Sequence, residues 1–202
     1  PASLETYGQD WTRFTPPAPT AIVFPRDTAD VVAVVECARR CQFALVPSGG
    51  RTGLSGGACA ANAEVVVSMD KMDAISPVNL TDRTVTVSAG AITQNVQQAA
   101  RDADLFYPVD FASSGSSQIG GNIATNAGGI NVIRYGMTRE WIAGLTVVTG
   151  KGEVLELNKG LMKNNTGLDF RHLFIGSEGI LGFITEATLK LTAPPKDPTV
   201  LV

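Results

Sequence analysis

Residues 107–136 read YPVDFASSGSSQIGGNIATNAGGINVIRYG, and across these 30 residues the only charges are Asp110 and Arg134. Gly, Ser, Asn and Thr dominate, with neither helical nor strand periodicity. A flexible linker of this composition would lack the interspersed Pro108, Val109, Phe111, Ile119, Ile123 and Ile130. Those apolar residues imply a loop pinned into a core and offering backbone N–H groups and small hydroxyls to something buried. The pairs Gly120-Gly121 and Gly128-Gly129 remove Cβ atoms, which lets a ligand lie close against the main chain. The chemistry open to such residues is the holding of a large polar cofactor. A purely structural loop is the alternative, but a loop this long inside a compact domain is uncommon without a function.

Two further clusters flank this stretch. Of 21 glycines, 13 fall into three groups, five in 49–57, five in 115–129 and three in 176–182, so glycine marks sites here and not bulk composition. The first cluster, PSGGRTGLSGG at 47–57, differs from both common phosphate loops. A Walker loop needs G-x-x-x-x-G-K-[ST], and no lysine occurs between Ala2 and Met69. The dinucleotide fingerprint should open a helix and be followed by an acidic residue after the next strand. Here Gly50, Gly53 and Gly56 are followed by ACAANAEVVVSM, which reads as a loop and then a strand. The array of N–H groups still suits an anion such as a pyrophosphate, with Arg51 and Thr52 adding donors.

The elements that must position these clusters follow from periodicity and breakers. A strand at 21–24 is stopped by Pro25. Asp27 or Thr28 then caps a helix with Val31, Val34, Val35, Ala38 and Cys41 at helical spacing. A strand at 43–46 completes a β-α-β unit that delivers the chain into the first cluster, and a strand at 64–69 follows it. Strands at 75–78 and 84–88 flank a turn at 79–83. Thr93 caps a helix carrying Val96, Ala99, Ala100 and Ala103 that leads into the central stretch. Beyond it come a hairpin, 145–149 and 154–157, about Gly150-Lys151-Gly152, a short helix near 169–174, the third cluster GSEGILG, and an alternating strand at 183–191. Residues 1–20, with Trp11, Phe14 and Pro16-Pro17-Ala18-Pro19, read as a lead-in laid over the surface, and 193–202 read as a linker.

A chain of 202 residues, 44% hydrophobic with mean hydropathy +0.12, is long enough for one domain or two small lobes with a buried core. Net charge −3 without a basic run gives no electrostatic case for nucleic acid. No apolar run approaches the roughly 20 residues of a membrane span, and PASLETYGQD lacks a signal-peptide pattern. A soluble cytoplasmic protein is expected. Cys37, Cys41 and Cys59 are odd in number and lie in apolar or small-residue surroundings, which predicts buried thiols and no disulfide framework. Cys37 and Cys41 could share a helix face, but no histidine or third thiol is nearby, so no metal is expected.

Together the three ordered motifs, PSGGRTGLSGG, then YPVDFASSGSSQIGGNIATNAGG with RYG, then FIGSEGILGFITEATLKL, resemble the FAD-binding domain of the vanillyl-alcohol oxidase / p-cresol methylhydroxylase flavoproteins. The resemblance is greatest to their FAD-linked D-2-hydroxy-acid dehydrogenases, a group that includes D-lactate and D-2-hydroxyglutarate dehydrogenases and the glycolate oxidase D-type subunit. It covers residues 24–191 and implies an α+β fold of two subdomains with FAD between them, divided here as 1–58 and 59–192. It implies that Gly49, Gly50, Arg51, Thr52, Gly53, Leu54 and Gly57 hold the pyrophosphate. Pro108, Ser113, Ser117, Gly120, Gly121, Asn122, Thr125, Asn126, Gly128 and Gly129 would line the flavin and ribityl chain, and Glu178, Gly182 and Ile184 would close near the adenine.

Many members attach FAD through a histidine in the first cluster. Arg51 stands there in this sequence and the only histidine is His172, which implies non-covalent FAD. The resemblance also implies hydride transfer from C2 of a D-2-hydroxy acid, of D-lactate or D-2-hydroxyglutarate type, to the flavin, with the substrate and catalytic groups supplied by a C-terminal cap absent from these 202 residues. No catalytic residue is assigned within them, and His172 reads as a surface or capping residue. The electron acceptor is open, and peripheral membrane association through it is one expectation. The alternatives are a stand-alone flavin-binding or electron-relay module working with a separate substrate subunit, and a degenerate domain without FAD. Intact glycine clusters argue against the last.

Overall fold

The computed structural model describes residues 2–196. The last residues of the expected linker, 197–202, lie outside the described residues. Two sheets with helices packed on them make a mixed α+β fold. The first sheet is three parallel strands, β1 (Ala21–Val23), β2 (Leu45–Ser48) and β3 (Val65–Ser68), in the order β1-β3-β2. The second is antiparallel, β4 (Thr84–Ser88), β5 (Ile142–Thr149), β6 (Val154–Leu157) and β7 (Gly182–Lys190), in the order β4-β7-β5-β6. Because β3 is the central strand of the first sheet, that sheet reaches past the division expected at residues 58 and 59.

Helix α1 (Ala2–Tyr7) precedes β1 and packs against it. Between β1 and β2 runs α2 (Thr28–Cys41), which begins where the Asp27 carboxylate accepts from the Asp30 N–H at 2.8 Å and ends at Gln42 with φ 58°. Such a cap is worth about 1 kcal/mol. Its Val31, Val35 and Ala38 are buried, and the helix packs on β5 and β7 of the second sheet, so it ties the two sheets into one continuous core. The Thr28 hydroxyl reinforces that tie by donating to the Thr185 hydroxyl at 2.9 Å. Cys41 closes the helix beyond its buried face and is exposed, while Cys37 and Cys59 are half-buried. The expectation of buried thiols therefore fails.

Helix α3 (Thr93–Asp102) buries Val96, Gln97 and Ala100. Thr93 is not its cap, as expected, but its first residue: the hydroxyl is fully buried, 2.8 Å from the Ser117 hydroxyl and accepting from the Asn122 amide at 2.7 Å. Residues 75–78 form no strand and contribute only a bridge between Ile75 and Val87. The central stretch contains two short helices that its composition does not announce, α4 (Ile119–Ala124) and α5 (Val132–Tyr135). Glycine is a poor helix former, and α4 is held by packing: Ile119 and Ile123 are fully buried, and the helix lies on β4 and β7. Helix α6 (Arg171–Phe174) precedes the third cluster. No helix among the described residues is long and apolar enough to cross a membrane.

Candidate functional site

The three glycine clusters converge on one cleft of about 420 Å³. Strand β2 carries the chain through Pro47 and Ser48 into the first cluster, which then turns away from the sheet. From Arg51 to Ser55 no backbone N–H donates to another described residue, so the turn presents a row of donors. The lead-in segment holds the turn from behind. The Trp11 N–H donates to the Gly53 carbonyl at 3.1 Å, and the Gly56 N–H donates to the Asp10 carboxylate at 2.8 Å. Burial pushes the Asp10 carboxyl up, but hydrogen bonds from the Thr12 hydroxyl and from the amides of Gly56, Thr12 and Arg13 outweigh it and hold the group below its ordinary value.

Arg51, expected to add donors toward an anion, is turned onto its own loop. Its Nη1 donates to the Gly49 carbonyl at 2.8 Å and lies 3.6 Å from the Asp70 carboxylate, and the guanidinium stacks 4.3 Å over the Tyr7 ring. The Tyr7 hydroxyl donates to Asp70 at 2.7 Å; that bond, and then burial, raise its pKa. Asp70 also accepts from the Gln118 amide at 2.8 Å. The third cluster docks on α4, with the Gly176 N–H on the Ile123 carbonyl at 3.0 Å and the Glu178 N–H on the Ala124 carbonyl at 2.8 Å.

The glycines divide by what an added Cβ would meet. On Gly50 it would collide with the Ser116 carbonyl oxygen and come within 2.9 Å of the Ser117 Cα; on Gly120 it would lie 2.7 Å from the Ala89 Cβ; on Gly179, 2.7 Å from the Pro47 Cγ. On Gly129 it would collide with the Asp110 carbonyl oxygen. These glycines let protein meet protein. Gly53 and Gly121 also line the cleft, yet a Cβ on either would meet no atom within 4 Å. They leave bare backbone facing open space, a cradle that side chains would fill and that suits an extended polar ligand such as FAD.

Of the residues expected at the site, Gly49, Gly50, Arg51, Thr52, Gly53, Leu54 and Gly57 line the cleft from the first cluster. Ser113, Gly120, Gly121, Asn122, Thr125, Gly128 and Gly129 line it from the central one, and Glu178, Gly182 and Ile184 from the third. Pro108, Ser117 and Asn126 are not in the lining. Pro108 gives its carbonyl to the Asn131 amide, Ser117 bonds Thr93, and Asn126 accepts from the Arg139 N–H. His172 is also away from the lining; its Nδ1 lies 2.7 Å from Arg139 Nη1 and its Nε2 3.4 Å from Asp169. Sequence reasoning missed Asp10 and Gln118 in the lining and Tyr7 and Asp70 behind it. Asp70 follows directly on the expected strand at 64–69 and Gln118 lies inside the central stretch, but nothing local marked Asp10 or Tyr7.

The family model of the FAD binding domain matches residues 19–158. The chain belongs to that family of flavin-nucleotide-binding proteins. Over 200 residues it is 61% identical to a D-2-hydroxyglutarate dehydrogenase of Stutzerimonas stutzeri, covering 99% of this chain and 43% of that protein. It is 59% identical over 202 residues to a D-2-hydroxyglutarate dehydrogenase of Xanthomonas citri pv. viticola, covering 100% of this chain and 43% of the relative. Among solved structures, an alkyldihydroxyacetonephosphate synthase superposes with a TM-score of 0.76 at 26% identity, over 87% of this chain and 32% of that one. The chain thus spans less than half the length of these relatives, and its cofactor is FAD.

Proposed function

We propose that this chain is the FAD-binding part of a flavin-dependent oxidoreductase that oxidises a D-2-hydroxy acid, of D-2-hydroxyglutarate or D-lactate type, to the 2-oxo acid. The observation that carries the reading is the cradle: cleft-lining glycines Gly53 and Gly121, with no protein atom within 4 Å of an added Cβ, in a chain 61% identical to a protein named for that activity. In this reading the N–H row of the first cluster faces the pyrophosphate. The central cluster holds the flavin and ribityl chain, and Glu178, Gly182 and Ile184 lie toward the adenine. Pro108, Ser117 and Asn126 support that cradle from behind.

When bound, FAD would supply the acceptor for the hydride that leaves C2 of the hydroxy acid. The residues of this chain bind and orient it. Asp10 and Thr93 fix the two loops that do so, and Phe111, Phe183 and Ile184 give the cleft apolar walls that exclude water. Neither lining carboxylate is assigned as base; Asp10 is committed to the Gly56 and Thr12 donors. Among the described residues that line the cleft there is no histidine, cysteine or tyrosine, which supports non-covalent attachment.

Titration of the purified chain with FAD should reach one equivalent, and acid precipitation should leave all flavin in the supernatant. Flavin on the pellet would refute non-covalent binding. In protein of the relatives' full length, D-2-hydroxyglutarate or D-lactate should bleach the flavin band anaerobically and the L-enantiomers should not. Absence of bleaching with any D-2-hydroxy acid would leave the electron-relay reading.

A further inference from the structure

Two buried side-chain polar atoms among the described residues have no hydrogen-bond partner, the Tyr107 hydroxyl and the Gln118 carbonyl oxygen Oε1. Tyr107 sits in the apolar core and away from the cleft. Gln118 is 7% exposed and lines the cleft, with Oε1 3.4 Å from where a Cβ of Gly49 would stand. It immediately precedes α4 yet makes no side-chain capping bond.

The orientation of that amide is dictated. Nε2 donates to Asp70 Oδ1 at 2.8 Å, so turning the amide over would set two acceptor oxygens against each other. Asp70 is itself fixed: its Oδ2 accepts from the Tyr7 hydroxyl at 2.7 Å, and the Arg51 guanidinium lies 3.6 Å from its Oδ1. Tyr7 and Arg51 stack on each other, which closes the support. The chain Tyr7/Arg51–Asp70–Gln118 therefore keeps the buried carbonyl oxygen of this cleft-lining side chain, beside Gly49, as an acceptor and nothing else. A buried acceptor without a donor is costly, and a ligand bearing an N–H or O–H relieves that cost. The ionised pyrophosphate has no donor to give. The adenosine half has donors in its amine and ribose hydroxyls but lies toward the third cluster in the proposed reading, whereas the central stretch that carries Gln118 holds the flavin half, whose donors are the ring N3–H and the ribityl hydroxyls.

We infer that Gln118 is a cofactor-reading residue whose Oε1 accepts a hydrogen bond from a donor on the flavin half of FAD, the ring N3–H or a ribityl hydroxyl. The inference rests on FAD occupying this cleft. Tyr7, Arg51 and Asp70 are positioning residues for it.

The test titrates the apo-chain with FAD, with N3-methyl-FAD and with the singly deoxygenated ribityl analogues, following flavin fluorescence. Wild type is compared with Gln118→Ala and with Gln118→Met, which keeps length and packing should the alanine variant fold poorly. Wild type should bind one analogue about tenfold more weakly than FAD, the loss expected for one hydrogen bond to a buried acceptor. Both variants should bind FAD weaker by a similar factor and should no longer distinguish FAD from that same analogue. Loss of discrimination against N3-methyl-FAD identifies the ring N–H as the donor, and loss against a deoxy analogue identifies that hydroxyl. Every analogue penalty persisting unchanged in the variants overturns the inference while leaving FAD binding intact. Failure of wild type to bind FAD at all refutes the reading beneath it.

Discussion

The division of cleft glycines into two kinds predicts that neighbouring substitutions act with opposite sign on the fold and on the cofactor. Gly121 lies in α4, is exposed, and an added Cβ meets no protein atom within 4 Å. Gly121→Ala should therefore stabilise the apo-chain by up to about 1 kcal/mol, since alanine costs less backbone entropy in a helix. For a chain of this size that raises Tm by roughly 2–4 °C. Gly120, one residue earlier in the same helix, would place its Cβ 2.7 Å from the Ala89 Cβ and 3.1 Å from the Ala89 carbonyl oxygen. Neither neighbour is a flexible side-chain end, so Gly120→Ala should cost about 1–3 kcal/mol by overpacking. The cofactor responds differently. Gly121→Val and Gly53→Val put a branched side chain where backbone would meet FAD, and a similar overpacking term corresponds to roughly tenfold to hundredfold weaker binding. Thermal melts of the apo-chains and fluorescence titration with FAD read the two effects separately. The reasoning is refuted if Gly121→Val binds FAD as wild type does, or if Gly120→Ala melts at the wild-type temperature.

Two further outcomes follow from the lead-in segment and from α2. Asp10 has a folded pKa below its ordinary value of 3.8, so the stability it contributes is present above that value and lost as pH falls through the folded one. Asp10→Asn should be about 1–2 kcal/mol less stable at pH 7 and show a flatter Tm profile on the acid side, and an acid limb as steep as wild type's would count against this. Cys41 is exposed while Cys37 and Cys59 are half-buried, so a thiol reagent should modify Cys41 first; Cys37→Ala, away from the cleft lining, should leave the FAD titration unchanged.

What could be read from the sequence was whatever rests on neighbours in the chain. Asp27 before Val31, Val35 and Ala38 announced α2, and the alternation after Gly182 announced β7, because a cap and a period are local. Glycine clustering announced the cleft because bare backbone is itself a local property. Contacts made across the fold left no such trace. Gly120-Gly121 argues against a helix by propensity, and α4 forms because Gly120 can press on Ala89 while Ile119 and Ile123 fill the core. Thr93 reads as a cap, yet its hydroxyl joins Ser117 and Asn122.

The same limit hid the support of the first cluster. Tyr7 and Asp70 are 63 residues apart and Asp70 and Gln118 are 48 apart, so no window of sequence shows that they share a carboxylate. The consequence reaches function. A motif can place Arg51 beside a bound anion, but its guanidinium lies on Tyr7 and against Gly49 and Asp70, so in this structure its charge braces the loop. In the proposed reading the N–H groups of residues 51–55, which donate to no other described residue, are then the donors left for the pyrophosphate, and the glycines of the first cluster rather than Arg51 carry its recognition.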